Sequence, residues 1–405
     1  MLARLSVLMF LQYAVPGVVL PLYSMRLNEL GFSPWQVALC SATHGVASLM
    51  APLVGQLADR WLAAQRCLAI CGVLATFDLA WLLVARDFWS VLAATQCFWL
   101  LAVPMMMLGT AITFTHLEHP EAQFGFVRLW GTIGWMAPPW LLLVVELLMG
   151  PGVGAGAGDA LIMVGIAISM LLALYTFTLP NTPPRPHATS LLAPVEAVRR
   201  LAGVSFFTYA GCMVGLCIIQ PFTIQGTPLL LQNLLNDEFG ETRSRLWLAP
   251  LLTVAQASEV TCLALLPAFL TRLGVRGSMV MGLSIWCVIL ALLTIGGSTG
   301  LVTLALALNG PVITGFLVVG QVYLNSRAHG DLKASAQSLM FAVQGTGLIT
   351  GHLLFGALRS ETAAGGLAGE LPGVFAIGTV MAIGLAVLLW VGFHPERDVV
   401  GDEEV

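Results

Sequence analysis

Charge is what this chain lacks. Of its 405 residues only 9% are Asp, Glu, Lys or Arg, and lysine occurs once, as Lys333. A water-soluble domain carries about a quarter of its residues charged, so this composition does not cover a soluble surface. Hydrophobic residues make up 58% of the chain and the mean hydropathy is +0.89, which makes lipid the solvent for most of the molecule. A net charge of −4 is too small to imply a nucleic-acid partner. Cysteine patterning is missing as well. Cys40, Cys67, Cys71, Cys97, Cys212, Cys217, Cys262 and Cys287 all fall in or beside apolar stretches, and none forms a C-x-x-C pair. They read as small buried hydrophobes, with no disulfide framework and no metal site. Intramembrane catalysis needs a nucleophile with its base or a metal cluster. The chain has no G-x-S-x-G, no H-E-x-x-H and no paired aspartates, so the sequence predicts neither an enzyme nor a cofactor.

What is present is a series of long apolar runs. A membrane-spanning helix takes about 20 largely apolar residues, and twelve stretches qualify: 5–25, 36–57, 67–85, 88–113, 125–148, 159–179, 202–222, 246–270, 278–296, 300–322, 335–357 and 372–393. Unpaired backbone groups are intolerable in hydrocarbon, so the stretches are predicted as helices. The first has the look of a signal peptide, with Arg4 ahead of an apolar run. It shows no small-residue cleavage site and eleven more spans follow, so it is kept as a helix. With both termini inside, the cytoplasmic loops hold twelve of the cations and the opposite loops hold five, Arg26, Arg86, Arg243, Arg245 and Arg359. Positive charge favours the cytoplasm, which predicts a multi-pass protein of the cytoplasmic membrane with both termini cytoplasmic.

One linker interrupts the helices: "LPNTPPRPHATSLLAPVEAVRR", 179–200, with five prolines. Proline removes backbone donors and stops helices. The stretch divides the chain into a first six-span bundle, 1–179, a cytoplasmic linker, 180–200, a second bundle, 201–396, and a tail, 397–405. The spacer "GPGVGAGAGDA", 150–160, reads as a flexible outer loop. "GQLADRWLAAQR" (55–66) after the second span and "LPAFLTRLGVRG" (266–277) after the eighth occupy corresponding points of the two halves, which suggests an internal duplication.

Gly55 to Arg60, G-x-L-A-D-R, resembles the signature loop between helices two and three of the major facilitator superfamily. The resemblance implies an all-α integral membrane protein, with twelve transmembrane helices in two pseudo-symmetric six-helix bundles. It also implies that Asp59 caps a neighbouring helix and pairs with arginine to hold the inward gate shut, Gly55, Asp59 and Arg60 being the gate. "FLQYAVPG" (10–17), "VRLWGTIGW" (127–135), "FTLPNTPP" (177–184), "QASE" (256–259) and "KASAQ" (333–337) then occur in an order that resembles the bacterial nucleoside:proton symporters over nearly the whole chain. That resemblance implies a secondary transporter working by alternating access on a nucleoside with proton symport. A sugar or oligosaccharide permease is the alternative. The partners implied are the solute, H+ and the lipid bilayer, and a monomer is expected.

The candidate solute residues lie on several spans. Arg128, Thr132 and Trp135 share one helix face at i, i+4 and i+7, a cation, a hydroxyl and a large aromatic suited to a ring with hydroxyls. Spacing alone slightly favours Arg128 snorkelling to the headgroups while Trp135 packs between helices; the resemblance favours binding. Gln220 and Thr223 flank Pro221 in the seventh span, and broken helices near the midplane are where transporters place binding groups. Gln256 and Glu259 share a face at i and i+3. A charged acid deep in a helix costs about 2.5–3.5 kcal/mol on the insertion scale, which points to a polar pathway or to a structural hydrogen bond with a neighbouring helix; the resemblance implies that the pair faces the central cavity, with Glu259 the candidate proton carrier. The tenth span departs from the family. The positions of the family's membrane aspartate and the asparagine after it fall on Thr314 and Leu317, with Asn309 and Ile313 at aromatic positions. Asp78 in the third span either substitutes for the missing carboxylate or pairs with a neighbouring helix, and it is the second candidate for proton coupling. Glu146 lies near the outer end of the fifth span, His44 and His352 read as neutral structural donors, and Gln12 and Tyr13 border the cavity by resemblance.

Overall fold

The computed structural model describes residues 1–19, 23–118, 120–149, 157–183, 198–199, 201–327, 332–361 and 367–395. Most of the predicted spacer at 150–160, most of the proline-rich linker and all of the tail predicted at 397–405 lie outside the described residues. No strand occurs among the described residues, as lipid demands of a chain that must satisfy its own backbone. In chain order the helices are α1 (Leu2–Val19), α2 (Tyr23–Glu29), α3 (Pro34–Trp61), α4 (Ala64–Val84), α5 (Phe88–His116), α6 (Pro120–Met149) and α7 (Ala157–Tyr175). There follow α8 (Val204–Phe239), α9 (Glu241–Ala264), α10 (Leu266–Ile295), α11 (Thr299–Ala307), α12 (Asn309–Val312), a π-helical stretch (Ile313–Val318), α13 (Val319–Arg327), α14 (Leu332–Glu361) and α15 (Leu367–Gly392).

Among the described residues nine helices are long and apolar enough to cross a membrane. Of the long helices, α3, α6 and α9 are outside that set, and they carry the predicted gate, Arg128, and the Gln256–Glu259 pair. Phe77, Trp89, Val380 and Trp390 are each more than half exposed. Such side chains are a liability in water and an ordinary outer surface in lipid.

The stretch predicted at 5–25 is described as α1 to Val19 and α2 from Tyr23, and residues 20–22 lie outside the described residues. The structure redraws two predicted boundaries. Gly55–Arg60 is not a loop but the last turns of α3. The inner loop predicted at 266–277 is helical, and Gly274 at φ 65° turns the chain within α10. Only glycine takes that conformation without strain. The Ser278 hydroxyl caps the turn by donating to the Gly274 carbonyl at 2.7 Å.

The chain forms two compact units: Met1–His187 with Leu235–Thr253, and Ala188–Leu234 with Val254–Val405. The last residues of α8 and the first half of α9 therefore group with the first unit, whereas the sequence predicts 201–396 as one block.

In the first unit α1 packs against α5, α6 and α7, while α4 packs against α5 and α7. The α1–α6 seam is a backbone contact. A Cβ on Gly134 would lie 2.1 Å from the Phe10 carbonyl oxygen, and one on Gly17 would lie 2.5 Å from that of Trp135. Small residues at such seams permit the close approach on which helix association in lipid depends. Asp159, at the start of α7, accepts from Arg26 Nε at 3.0 Å and Arg86 Nη2 at 2.7 Å, tying α2 and the α4–α5 turn to α7. Arg26 is almost wholly buried and also donates to the Leu82 carbonyl. The start of the linker belongs to this unit as well. Thr182 accepts from the Ala64 amide and donates its own to Gln65 Oε1, and its hydroxyl meets His116 Nε2 at 2.9 Å.

In the second unit α10 packs against α15 and the broken segment α11–α13. On α14, a Cβ on Gly347 or Gly351 would strike the α8 backbone at Val214 or Ile218, so α8 and α14 touch along this seam. The seam ends in a polar pair, Gln225 Nε2 to His352 Nδ1 at 2.5 Å, both residues buried.

Candidate functional site

On the first unit the candidate site grows from the α1–α6 contact. Because Gly134 and Gly17 let the two backbones meet, α6 turns the face holding Arg128 toward α1. The Arg128 guanidinium lies over the Tyr13 ring, 4.2 Å from its centroid, and Nη1 donates to Thr132 Oγ at 3.3 Å. Gly131 makes this possible. A Cβ there would sit 2.8 Å from Tyr13 Cδ2 and 2.9 Å from Arg128 Nη1. The side chain is thus folded against α1 rather than extended along the helix toward headgroups. A cation over an aromatic face contributes about 0.5–2 kcal/mol according to its desolvation. Thr132 is buried and Trp135, two turns from Arg128, is half-buried. Gln12 is wholly buried; its Nε2 faces Met9 Sδ and its Oε1 has no partner.

Asp78 lies apart from this cluster. It is 8% exposed on α4, the helix that packs against α5 and α7, and its Oδ2 has no hydrogen-bond partner. Among the described residues Asp159 forms ion pairs with Arg26 and Arg86. The side chains of Gly55–Arg60 and Glu146 lie outside the described residues.

On the second unit α8 is helical through Pro221 and Pro228. Pro221 removes one backbone donor. The Thr223 hydroxyl donates to the Gln220 carbonyl at 2.9 Å, so it serves the weakened helix before it serves a solute. Both side chains are half-buried. On α9, Gln256 Oε1 is buried without a partner, whereas Glu259 is half-buried and makes an interaction of its own. Between them Ser258 donates to the Ala307 carbonyl at 2.5 Å and accepts from the Gly310 amide at 3.1 Å. Thr314, at the position that resemblance gives to an acid, is wholly buried in the π-helical stretch and its hydroxyl has no partner. His352 is the buried partner of Gln225, as a structural imidazole would be.

Three features were not predicted from the sequence: the Arg128–Tyr13 stack, the Gln225–His352 pair and the Ser258 bridge. Each depends on which helices meet. The only local sign of the last was a serine inside "QASE", opposite a later span holding Gly310 and Pro311. Among the described residues no group of three or more His, Cys, Asp or Glu is placed to hold a metal.

Apolar helices that hold a cation, an amide and a carboxylate in the first unit, and amides and a carboxylate in the second, suit a membrane-embedded transporter. The chain belongs to the nucleoside H+ symporter family, whose model matches residues 1–398. It is similar to the xanthosine permease of Escherichia coli (strain K12), at 26% identity over 98% of this chain and 96% of that one. It is also similar to the nucleoside permease NupG of the same organism, at 24% identity over 87% of this chain and 86% of NupG. The fold matches the crystal structure of nucleoside transporter NupG with a TM-score of 0.81 and 21% identity, covering 97% of this chain and 98% of that one. The human organic anion transporter MFSD10 matches at a TM-score of 0.65 and 14% identity, over 96% of this chain and 98% of that one. The protein is a proton-coupled transporter of this family with the major facilitator fold.

Proposed function

We propose that the solute is a nucleoside, carried across the cytoplasmic membrane by alternating access of two six-helix bundles, twelve spans in all, with both termini cytoplasmic. The observation that carries this reading is Arg128 held over Tyr13 and against Thr132. The cluster offers a charged donor, a hydroxyl and aromatic rings, the groups that recognise ribose oxygens and a stackable base. The likeness to a xanthosine permease and to nucleoside permease NupG supports the same solute class. In this reading Arg128, Thr132, Trp135, Gln220, Thr223, Gln256 and Glu259 contact the solute. Glu259 exchanges the proton, with Asp78 as the second candidate, and Gly55, Asp59 and Arg60 form the inward gate. The working unit is a monomer in the lipid bilayer.

A panel of nucleosides, nucleobases and sugars tested by thermal shift on purified protein, followed by reconstituted uptake of the hits, tests the solute. Nucleosides should raise the melting temperature in a concentration-dependent way and be taken up. Stabilisation and uptake by sugars alone defeats the proposal.

A further inference from the structure

The break in the tenth predicted span is held by one side chain of the helix that carries Gln256 and Glu259. Two backbone groups come free there. Pro311 has no N–H to give to the Ala307 carbonyl one turn back. The Gly310 amide lies in the first turn of α12, where helical partners are missing. In lipid such groups must be satisfied by neighbouring helices or by Ser and Thr side chains. Ser258 answers both, donating to the Ala307 carbonyl at 2.5 Å and accepting from the Gly310 amide at 3.1 Å. The fit is tight. A Cβ on Gly310 would sit 2.2 Å from the Ser258 carbonyl oxygen, so α9 and the break are in backbone contact where the bonds form. Beyond the break lies the π-helical stretch with buried Thr314.

We propose that Ser258 is a positioning residue, locking the broken tenth span to the face of α9 that presents Gln256 and Glu259 and thereby fixing their register for solute. This rests on the nucleoside reading above. Ser258 does not touch the solute; it acts through the register of two helices in one unit.

Binding of radiolabelled uridine and the melting temperature, both read on detergent-purified full-length protein, test the idea in the wild type, Ser258→Ala and the double variant Ser258→Ala/Pro311→Ala. The single variant loses two bonds and should bind uridine about tenfold more weakly, with a lower melting temperature. Restoring an N–H at position 311 gives the Ala307 carbonyl a partner within the tenth predicted span. The double variant should therefore recover melting temperature while its affinity stays low, because nothing again ties α9 to the break. Affinity returning together with melting temperature would reduce Ser258 to a stabilising residue and overturn the proposal. So would wild-type affinity in the single variant. Absence of binding by the wild type of uridine and of every other nucleoside of the panel defeats the nucleoside reading and the positioning role together, whereas wild-type binding with an unaffected Ser258→Ala variant defeats the positioning role alone.

Discussion

Arg128 shows how one residue's surroundings separate two roles that its spacing leaves open. A snorkelling arginine covers apolar surface and sends its charge to water. Here the charge turns inward onto Tyr13 and Thr132. Arg128→Ala should abolish measurable nucleoside binding by isothermal titration, since a hydrogen-bonded cation aimed at solute is worth well over the loss from packing. A loss of only about 0.5–1 kcal/mol would assign the side chain to packing instead. Tyr13→Leu should weaken binding to a smaller extent, because it removes the guanidinium's support and leaves the guanidinium. The i, i+4, i+7 pattern was legible in the sequence; the hydrogen bond from Arg128 to Thr132 was not. The support from Tyr13 was not, since no local pattern states that α1 and α6 meet glycine to backbone.

At the scale of elements, the helices follow from apolar length, and their interruptions follow from rarer causes. Gly274 ends a short inner helix by its positive φ, and the sequence marks that place with turn residues and cations. The tenth span is harder to read. A π-helical turn takes in an extra residue, which rotates everything before it by roughly 100° relative to an unbroken α-helix. Counting from "KASAQ" therefore identifies Thr314 by number and leaves its facing to the structure, where it is buried. The ion pairs at Asp159 were equally hidden, since Arg26 and Asp159 are 133 residues apart. Asp159 joins three elements, with Arg26 buried and Arg86 half exposed. Asp159→Asn should lower the unfolding free energy by about 2–3 kcal/mol, less than the loss of a fully buried pair because water screens Arg86. Thermal denaturation in detergent measures it, and an unchanged melting temperature would show the bridge to be without weight.

For the whole molecule, the proposed cycle separates residues that bind from residues that time the exchange of states. Asp59 belongs to the second kind by its place at the end of α3. Asp59→Asn should slow transport strongly while leaving solute affinity within a few-fold; affinity collapsing with turnover preserved would move Asp59 into the binding site. Coupling makes the complementary demand. In the proposed cycle, with Thr314 at the position that resemblance gives to an acid, the candidate carboxyls for proton exchange are Glu259 on α9 and Asp78 on α4. They differ in setting. Glu259 shares its face with Gln256, one residue from the Ser258 bridge, so a change in its charge acts on the helix that presents solute groups. Asp78 lies on α4, a helix packed on α5 and α7, and takes no part in the hydrogen bonds or the cation–ring stack around Arg128. Glu259→Gln keeps the shape of the side chain, stands in for the protonated acid and removes the titration. In proteoliposomes this variant should exchange internal for external nucleoside at near wild-type rate, yet lose the stimulation of uptake by an inward proton gradient. Asp78→Asn should lose much less of it. Gradient-driven uptake persisting in Glu259→Gln and vanishing in Asp78→Asn would move the proton from the solute helix to α4, and with it the place where coupling enters the fold.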